Sequence, residues 1–192
     1  MEMMVKNLKK MILALSFGAI FFLGEAHAAC ASHLKIDGYN QIITVWQEID
    51  TIAQSLKIMG SYGNSNPKSV ALTDPFTIDA SNPVLASSQS KSKKNVTAAV
   101  VWKALDLKTK KQMLQVAVAT NDGWSTDSTI TISDPDNEIP QNQYQIEVSE
   151  NGLVIGIVWS SLIISEGKIV TRRVYSDDRG ESWSKPTTLC EF

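Results

Sequence analysis

Ile42-Ile43-Thr44-Val45-Trp46 ends on a dipeptide that the chain uses twice more, at Val101-Trp102 and Val158-Trp159. The three tryptophans stand 56 (46 to 102) and 57 (102 to 159) residues apart. A period of this size marks a repeat architecture, in which one supersecondary unit recurs and stacks on its neighbours. The residues themselves are β-branched or aromatic here and at Val96, Thr97, Val100, Val101 and Trp102, which favours strands. Working outward, each Val-Trp strand follows a short alternating stretch (33–37, 83–87, 144–148) and precedes another (55–61, 112–120, 168–176). A fourth short stretch closes each unit (75–78, 128–132, 187–189). Asn151-Gly152 joins the first two strands of the last unit, a hairpin signal because both residues accept positive φ. Asp37-Gly38 holds the same place in the first unit, and a polar tip, Ser88 to Asn95, replaces it in the second. Residues 49–59 come nearest to helical periodicity but read as a hairpin, because their equivalents are strands. The chain is therefore expected to be all-β, with three four-stranded units at about 29–81, 82–141 and 142–192.

Residues 1–28 read as a signal peptide. Lys6, Lys9 and Lys10 precede an apolar run, 11–24, and Ala26-His27-Ala28 offers small residues at the −3 and −1 positions of a cleavage site. Such a run spans about 21 Å as a helix, short of the roughly 30 Å hydrocarbon core. Cleavage after Ala28 is expected, leaving a domain 29–192 that is periplasmic or secreted and has no membrane attachment.

The 192 residues carry a formal charge of −2, with 43% hydrophobic and 20% charged residues. That composition supports a packed core and argues against a coat for nucleic acid or anionic lipid. The chain has three arginines (Arg172, Arg173, Arg179) and two histidines, which leaves little for a His-rich metal site. No cofactor or metal is expected.

Ser176-Asp177-Asp178-Arg179-Gly180-Glu181-Ser182-Trp183 lies between the third and fourth strands of the last unit. The pattern Ser-x-Asp-x-Gly-x-Ser-Trp resembles the Asp-box of the sialidase-type, BNR-repeat β-propellers. It suits a tight turn: Asp178 can accept backbone N–H bonds, Gly180 tolerates positive φ, and Trp183 can pack over the hairpin. A degenerate version stands in the second unit, with Thr120, Asp122, Gly123 and Trp124; Ser61-Tyr62-Gly63-Asn64 in the first keeps neither Asp nor Trp. The resemblance implies propeller-type blades and a structural role for Ser176, Asp178, Gly180, Ser182 and Trp183. A sialidase of this family would use three arginines on a substrate carboxylate, a Tyr–Glu nucleophile pair and an Asp acid/base. Arg172 and Arg173 are adjacent, hence on opposite faces of a strand, and Arg179 lies in the box. No catalytic residue is carried over.

The resemblance also implies that three blades are half a ring, an incomplete or oligomer-completed propeller. Two chains closing a ring, three units closing on themselves, and a marginal fragment stay open as alternatives. Cys30 and Cys190 both fall where one unit passes to the next. A Cys30–Cys190 disulfide is expected, within a self-closed chain or between two chains, and two free thiols would favour the fragment.

Other features have plainer readings. Lys91, Lys93 and Lys94, and Lys108, Lys110 and Lys111, read as solvated hairpin tips rather than a polyanion site. Residues 134–138 read as a polar linker rather than a calcium loop, lacking its Gly and length. Asn95-Val96-Thr97 matches a glycosylation sequon but reads as a strand start. His33 reads as a strand residue near the rim, not a triad member. Trp46, Trp102 and Trp159 read as core between units, and Trp124, outside their period, is open to exposure. The expected function is an exported, non-catalytic binding or interaction protein, toward a glycan or a protein, with self-association completing a ring. A sialidase-like glycosidase completed by another chain is the alternative, and a structural remnant without ligand is the second.

Overall fold

The computed structural model describes residues 32–37, 40–63, 68–89, 98–120 and 122–191. All belong to the compact unit Ala31–Phe192. The expected signal peptide, Cys30, Lys91, Lys93, Lys94 and the sequon lie outside the described residues.

The first sheet holds β1 (Ser32–Ile36), β2 (Ile42–Asp50), β3 (Ser55–Tyr62) and β4 (Lys68–Ala71). The second holds β5 (Ile78–Ser87), β6 (Ala98–Asp106), β7 (Gln112–Thr120) and β8 (Gly123–Trp124), with β9 (Ile130–Thr131) also on β7. The third holds β10 (Glu138–Val148), β11 (Ile155–Ile163), β12 (Lys168–Ser176) and β13 (Thr187–Glu191). Each sheet is an antiparallel meander in chain order. The protein is all-β, in three repeated four-stranded sheets, and residues 49–59 form the expected hairpin.

The Val-Trp dipeptide explains the stacking. Neighbouring residues of a strand point to opposite faces. Trp102 packs with Val45, Ile43, Ile58 and Leu72 of the first sheet. Val101, one residue earlier, packs with Trp159, Ile157 and Ile155 of the third. The second sheet is thus buried on both faces, which is why 98–102 is an unbroken apolar run rather than an alternating one. Each large side chain so buried contributes roughly 1.5–3 kcal/mol.

The hairpins repeat as well. Asp50 Oδ1 accepts from Ile52 N (3.1 Å) and Ala53 N (3.0 Å), and Asp106 Oδ1 accepts from Lys108 N (2.8 Å) and Thr109 N (2.7 Å). These bonds hold both carboxyls below their ordinary pKa, the backbone N–H of Ala53 and of Thr109 being the leading cause in each case. Gln54, Lys110 and Gly167 close the three equivalent turns at φ of 55°, 61° and 66°.

The sequence reading placed the unit boundaries too late. The fourth strand of the first unit is Lys68–Ala71, and 75–77 is a linker turn leading into β5: Asp74 O accepts from Thr77 N and Ile78 N, and Asp74 Oδ1 from Phe76 N. Asp134 closes the same turn in the second linker, with Asn137 N, Glu138 N and Asp136 N. The expected breaks at 81 and 141 fall inside β5 and β10, at bulges between Ser81 and Val84 and between Pro140 and Tyr144. A bulge breaks the alternation, so the pattern restarts there and imitates a strand start.

Candidate functional site

The turn read as an Asp-box is a closed hydrogen-bond cage. Ser176 Oγ donates to Asp178 Oδ1 (2.7 Å) and accepts from Gly180 N (2.7 Å). Asp178 Oδ1 accepts from Ser182 N (2.9 Å), and Asp178 Oδ2 accepts from Ser182 Oγ. These donors, the Ser182 hydroxyl first among them, hold the Asp178 carboxyl down at about 2. Trp183 Nε1 donates to Gly180 O (3.2 Å) and the ring packs on the core. Gly180 has φ of 87°, and a Cβ there would come within 2.8 Å of Val118 Cγ2. Arg179 N, in turn, donates to Leu153 O (3.0 Å), which ties the cage to the β10–β11 hairpin. The side-chain oxygens of Ser176 and Asp178 in the cage already have donors.

Thr120, Asp122, Gly123 and Trp124 build a looser relative. Asp122 N donates to Thr120 Oγ1 at 3.4 Å, and Gly123 (φ 94°) faces Tyr62 as Gly180 faces Val118, one period on. Trp124 is buried, against the expectation that it could be exposed. Its indole N–H donates to Ser61 O (3.2 Å), and its ring covers Gly60, where a Cβ would lie 2.7 Å from Trp124 Cδ1. A missing side chain on β3 makes the room, so the cue was Gly60 rather than the period. In the first unit Gly63 keeps φ of 120°, and a Cβ there would meet none of the described residues within 4 Å.

The three arginines are not brought together. Arg172 Nε lies 3.2 Å from Oε2 of the buried Glu138, an ion pair without hydrogen-bond alignment. Arg173, on the other face of β12, has its guanidinium 6.0 Å from the Tyr175 ring centroid. Arg179 sits in the turn at φ of 68°. Residues 134–138 form the linker turn, with Asp134 Oδ2 accepting from Asn137 Nδ2 (2.7 Å) and Glu138 Oε1 from Asp134 N (2.9 Å). Among the described residues no group of three His, Cys, Asp or Glu gathers that could hold a metal. Lys108 and Lys110 stand in the β6–β7 turn, and Lys111 pairs with Asp136. His33 lies on β1, half-buried.

Cys190 is free and exposed on β13, so the expected bridge to Cys30 is not seen. The stack is open. β13 is the outermost strand of the third sheet, and the second sheet lies between that sheet and β1. Cys30 lies outside the described residues, and Cys190 stands opposite Thr171 at the edge of the third sheet.

A cleft opens where the leading strands of the three sheets end side by side. It measures about 420 Å³ and is lined by Lys35 and Ile36 of β1, Leu85, Ala86 and Ser87 of β5, Gln89, and Ile146, Glu147 and Val148 of β10. Ser87 Oγ and Gln89 Nε2 lie 3.5 and 3.4 Å from Ile36 O, which holds β1 and β5 together at its floor. Gln89 also lines a shallower depression of about 500 Å³ with Ser149, Glu150 and Asn151. The β10–β11 hairpin beside it is fixed by Ser149 Oγ, which accepts from Val154 N (2.8 Å), and by Asn151 Oδ1, which accepts from Leu153 N (3.0 Å). The cleft therefore offers an amine, a carboxylate, an amide and a hydroxyl beside aliphatic walls, a mixture suited to ligand recognition. Sequence reasoning missed Lys35, Gln89 and Glu147, because they converge from three units and share no spacing. No family model and no curated protein matches the chain.

Proposed function

We propose that the chain is an exported, non-catalytic binding or interaction protein, its three sheets being propeller-type blades and its ligand site the cleft at the leading strands. The observation that carries this reading is the cleft itself, lined by Lys35, Ser87, Gln89 and Glu147 beside Ile36, Leu85 and Val148 where β1, β5 and β10 end. Hydrogen-bonding groups around an aliphatic floor suit a glycan, whose hydroxyls and C–H faces need both. The Asp-box-like turn supports the site from outside by holding the β10–β11 hairpin through Leu153. Arg172, Arg173 and Arg179 stand on two strand faces and a turn, which favours binding over sialoside hydrolysis.

The test is a glycan array on the exported protein beside a fluorogenic sialoside assay. Binding is expected to fall at least tenfold in Glu147→Ala and Gln89→Ala with unchanged thermal midpoints, roughly the ~1.4 kcal/mol of one lost polar contact. Turnover of the sialoside would overturn the non-catalytic reading. Array binding that both variants leave intact would move the site elsewhere. Export has its own check: N-terminal sequencing of the native protein should begin at Ala29, and a start at Met1 would defeat it.

A further inference from the structure

Among the described residues the stacking rule leaves one tryptophan and one valine of the Val-Trp series without a sheet opposite. Trp102 packs in the cluster of Val45, and Trp159 in that of Val101. The first member of the series, Trp46, lies on the face of β2 opposite to Val45, half-buried, with its indole N–H donating to Glu48 Oε2 (3.3 Å). Leu34, Ile36 and Ile42 on that face are 59%, 52% and 40% exposed. Leu34 pairs with Thr44 as Leu85 pairs with Val100 and Ile146 with Ile157. Leu85 and Ile146 are only 4% and 7% exposed, so positions buried in two sheets are bare in the first. At the other end of the stack Val158 holds the place of Val45 and Val101 on the uncovered face of the third sheet. A recess of about 380 Å³ opens there, lined by Gln143, Gln145, Val158, Ser160 and Thr171 among others.

We propose that the two faces are mates: Trp46 of one copy seats in the Val158 recess of a second copy and continues the stack head to tail. Two observations choose this occupant. The bare face repeats the pattern that twice receives a Val-bearing sheet face, and the one Val-bearing face left uncovered is that of the third sheet. A pairing of two Trp46 faces would leave the recess of each copy unfilled on the far side. A four-stranded face spans a flat projection of about 400 Å². Roughened by side chains, it approaches the ~800 Å² per partner of a stable interface. Two copies joined at both ends give a six-sheet dimer, because a head-to-tail contact that closes makes a ring. Ile36 borders both this face and the cleft, but Leu34, Trp46 and Val158 do not line the cleft, so variants there test the contact apart from the binding proposal.

The experiment is particle mass by light scattering and sedimentation on the exported full chain, with Trp46→Lys, Val158→Lys and Leu34→Lys. The wild type is expected to be a dimer, and each variant a monomer with its dissociation constant raised at least about 30-fold, the loss of one central anchor. An equimolar mixture of Trp46→Lys and Val158→Lys should recover a dimer, since one intact pair of faces remains. Leu34→Lys guards against misfolding, because that side chain is largely exposed. A wild type still monomeric at about 100 µM, with the Trp46 face covered by residues 1–31 of its own chain or bare, overturns the proposal. A Val158→Lys protein that stays dimeric overturns it equally, in favour of a symmetric contact.

Discussion

Gly60 and Trp124 form a contact that only glycine permits. Its cause is steric rather than conformational, since a Cβ at Gly60 would lie 2.7 Å from Trp124 Cδ1 and 2.8 Å from Nε1. Gly60→Ala should destabilise the protein by about 1–3 kcal/mol, the usual cost of overpacking, and red-shift the tryptophan emission as the ring is displaced. Denaturant titration with fluorescence detection checks both. Ser176 tests the cage in the same way. Its hydroxyl is buried and accepts from Gly180 N, so Ser176→Ala should cost about 1–3 kcal/mol through an unpaired N–H. The cage also has a pH signature. Asp178 titrates at about 2 in the folded chain, below its ordinary 3.8, so its stabilisation is complete above about pH 4 and is lost as the pH falls toward 2. Asp178→Asn should flatten that part of the acid limb, read as urea midpoint against pH. An unchanged limb would assign the acid sensitivity to Asp50, Asp106 and Asp134, whose carboxyls are also held low.

The hairpins connecting second to third strands use one geometry with three different residues. Gln54, Lys110 and Gly167 all have positive φ, and their N–H groups donate to Asp50 O, Asp106 O and Ile163 O at 2.8, 2.8 and 2.9 Å. A Cβ is disfavoured in that region and glycine is not. Lys110→Gly should therefore stabilise the chain by up to about 1 kcal/mol, offset in part by the added freedom of the unfolded chain. A lower thermal midpoint would show that the Lys110 side chain matters more than the backbone. At this scale the sequence was readable wherever chemistry and period agreed. The Val-Trp strands, the Asn151-Gly152 turn and the Ser176–Trp183 cage stand where the pattern put them. The linkers were not, although Asp74-Pro75 and Asp134-Pro135 repeat: their strand-like residues 75–77 sit in a turn dictated by the Asp74 carboxylate. Glu138 was hidden for a related reason. It is a buried carboxyl where the equivalent Ile78 is apolar, held there by the Asp134 N–H and by Arg172 at 3.2 Å.

In the whole molecule the second sheet carries both cores. Its even residues from Ala98 to Ala104 join the cluster of the first sheet, and Ala99 and Val101 join that of the third. This sharing was legible in the unbroken apolar run 98–102, but the fate of each tryptophan was not. Period alone makes Trp46, Trp102 and Trp159 equal, and a stack with ends makes the first of them different. The cleft escaped for a similar reason, because it exists only where three units meet. A stack whose middle layer holds both neighbours should unfold as one unit, since stability in such arrays rests on the interfaces between repeats. Trp102→Ala opens a cavity in one of those interfaces and should cost about 3–5 kcal/mol. Measured on the monomer, at concentrations below self-association, Trp46→Ala should cost far less, about 1 kcal/mol or under, because no sheet of the described residues covers that ring. Both variants should keep a single transition, with far-ultraviolet dichroism and tryptophan fluorescence coinciding. Two separated transitions in Trp102→Ala would mean that the second and third sheets hold together without the first, and equal losses in the two variants would mean that the Trp46 face is covered within the monomer.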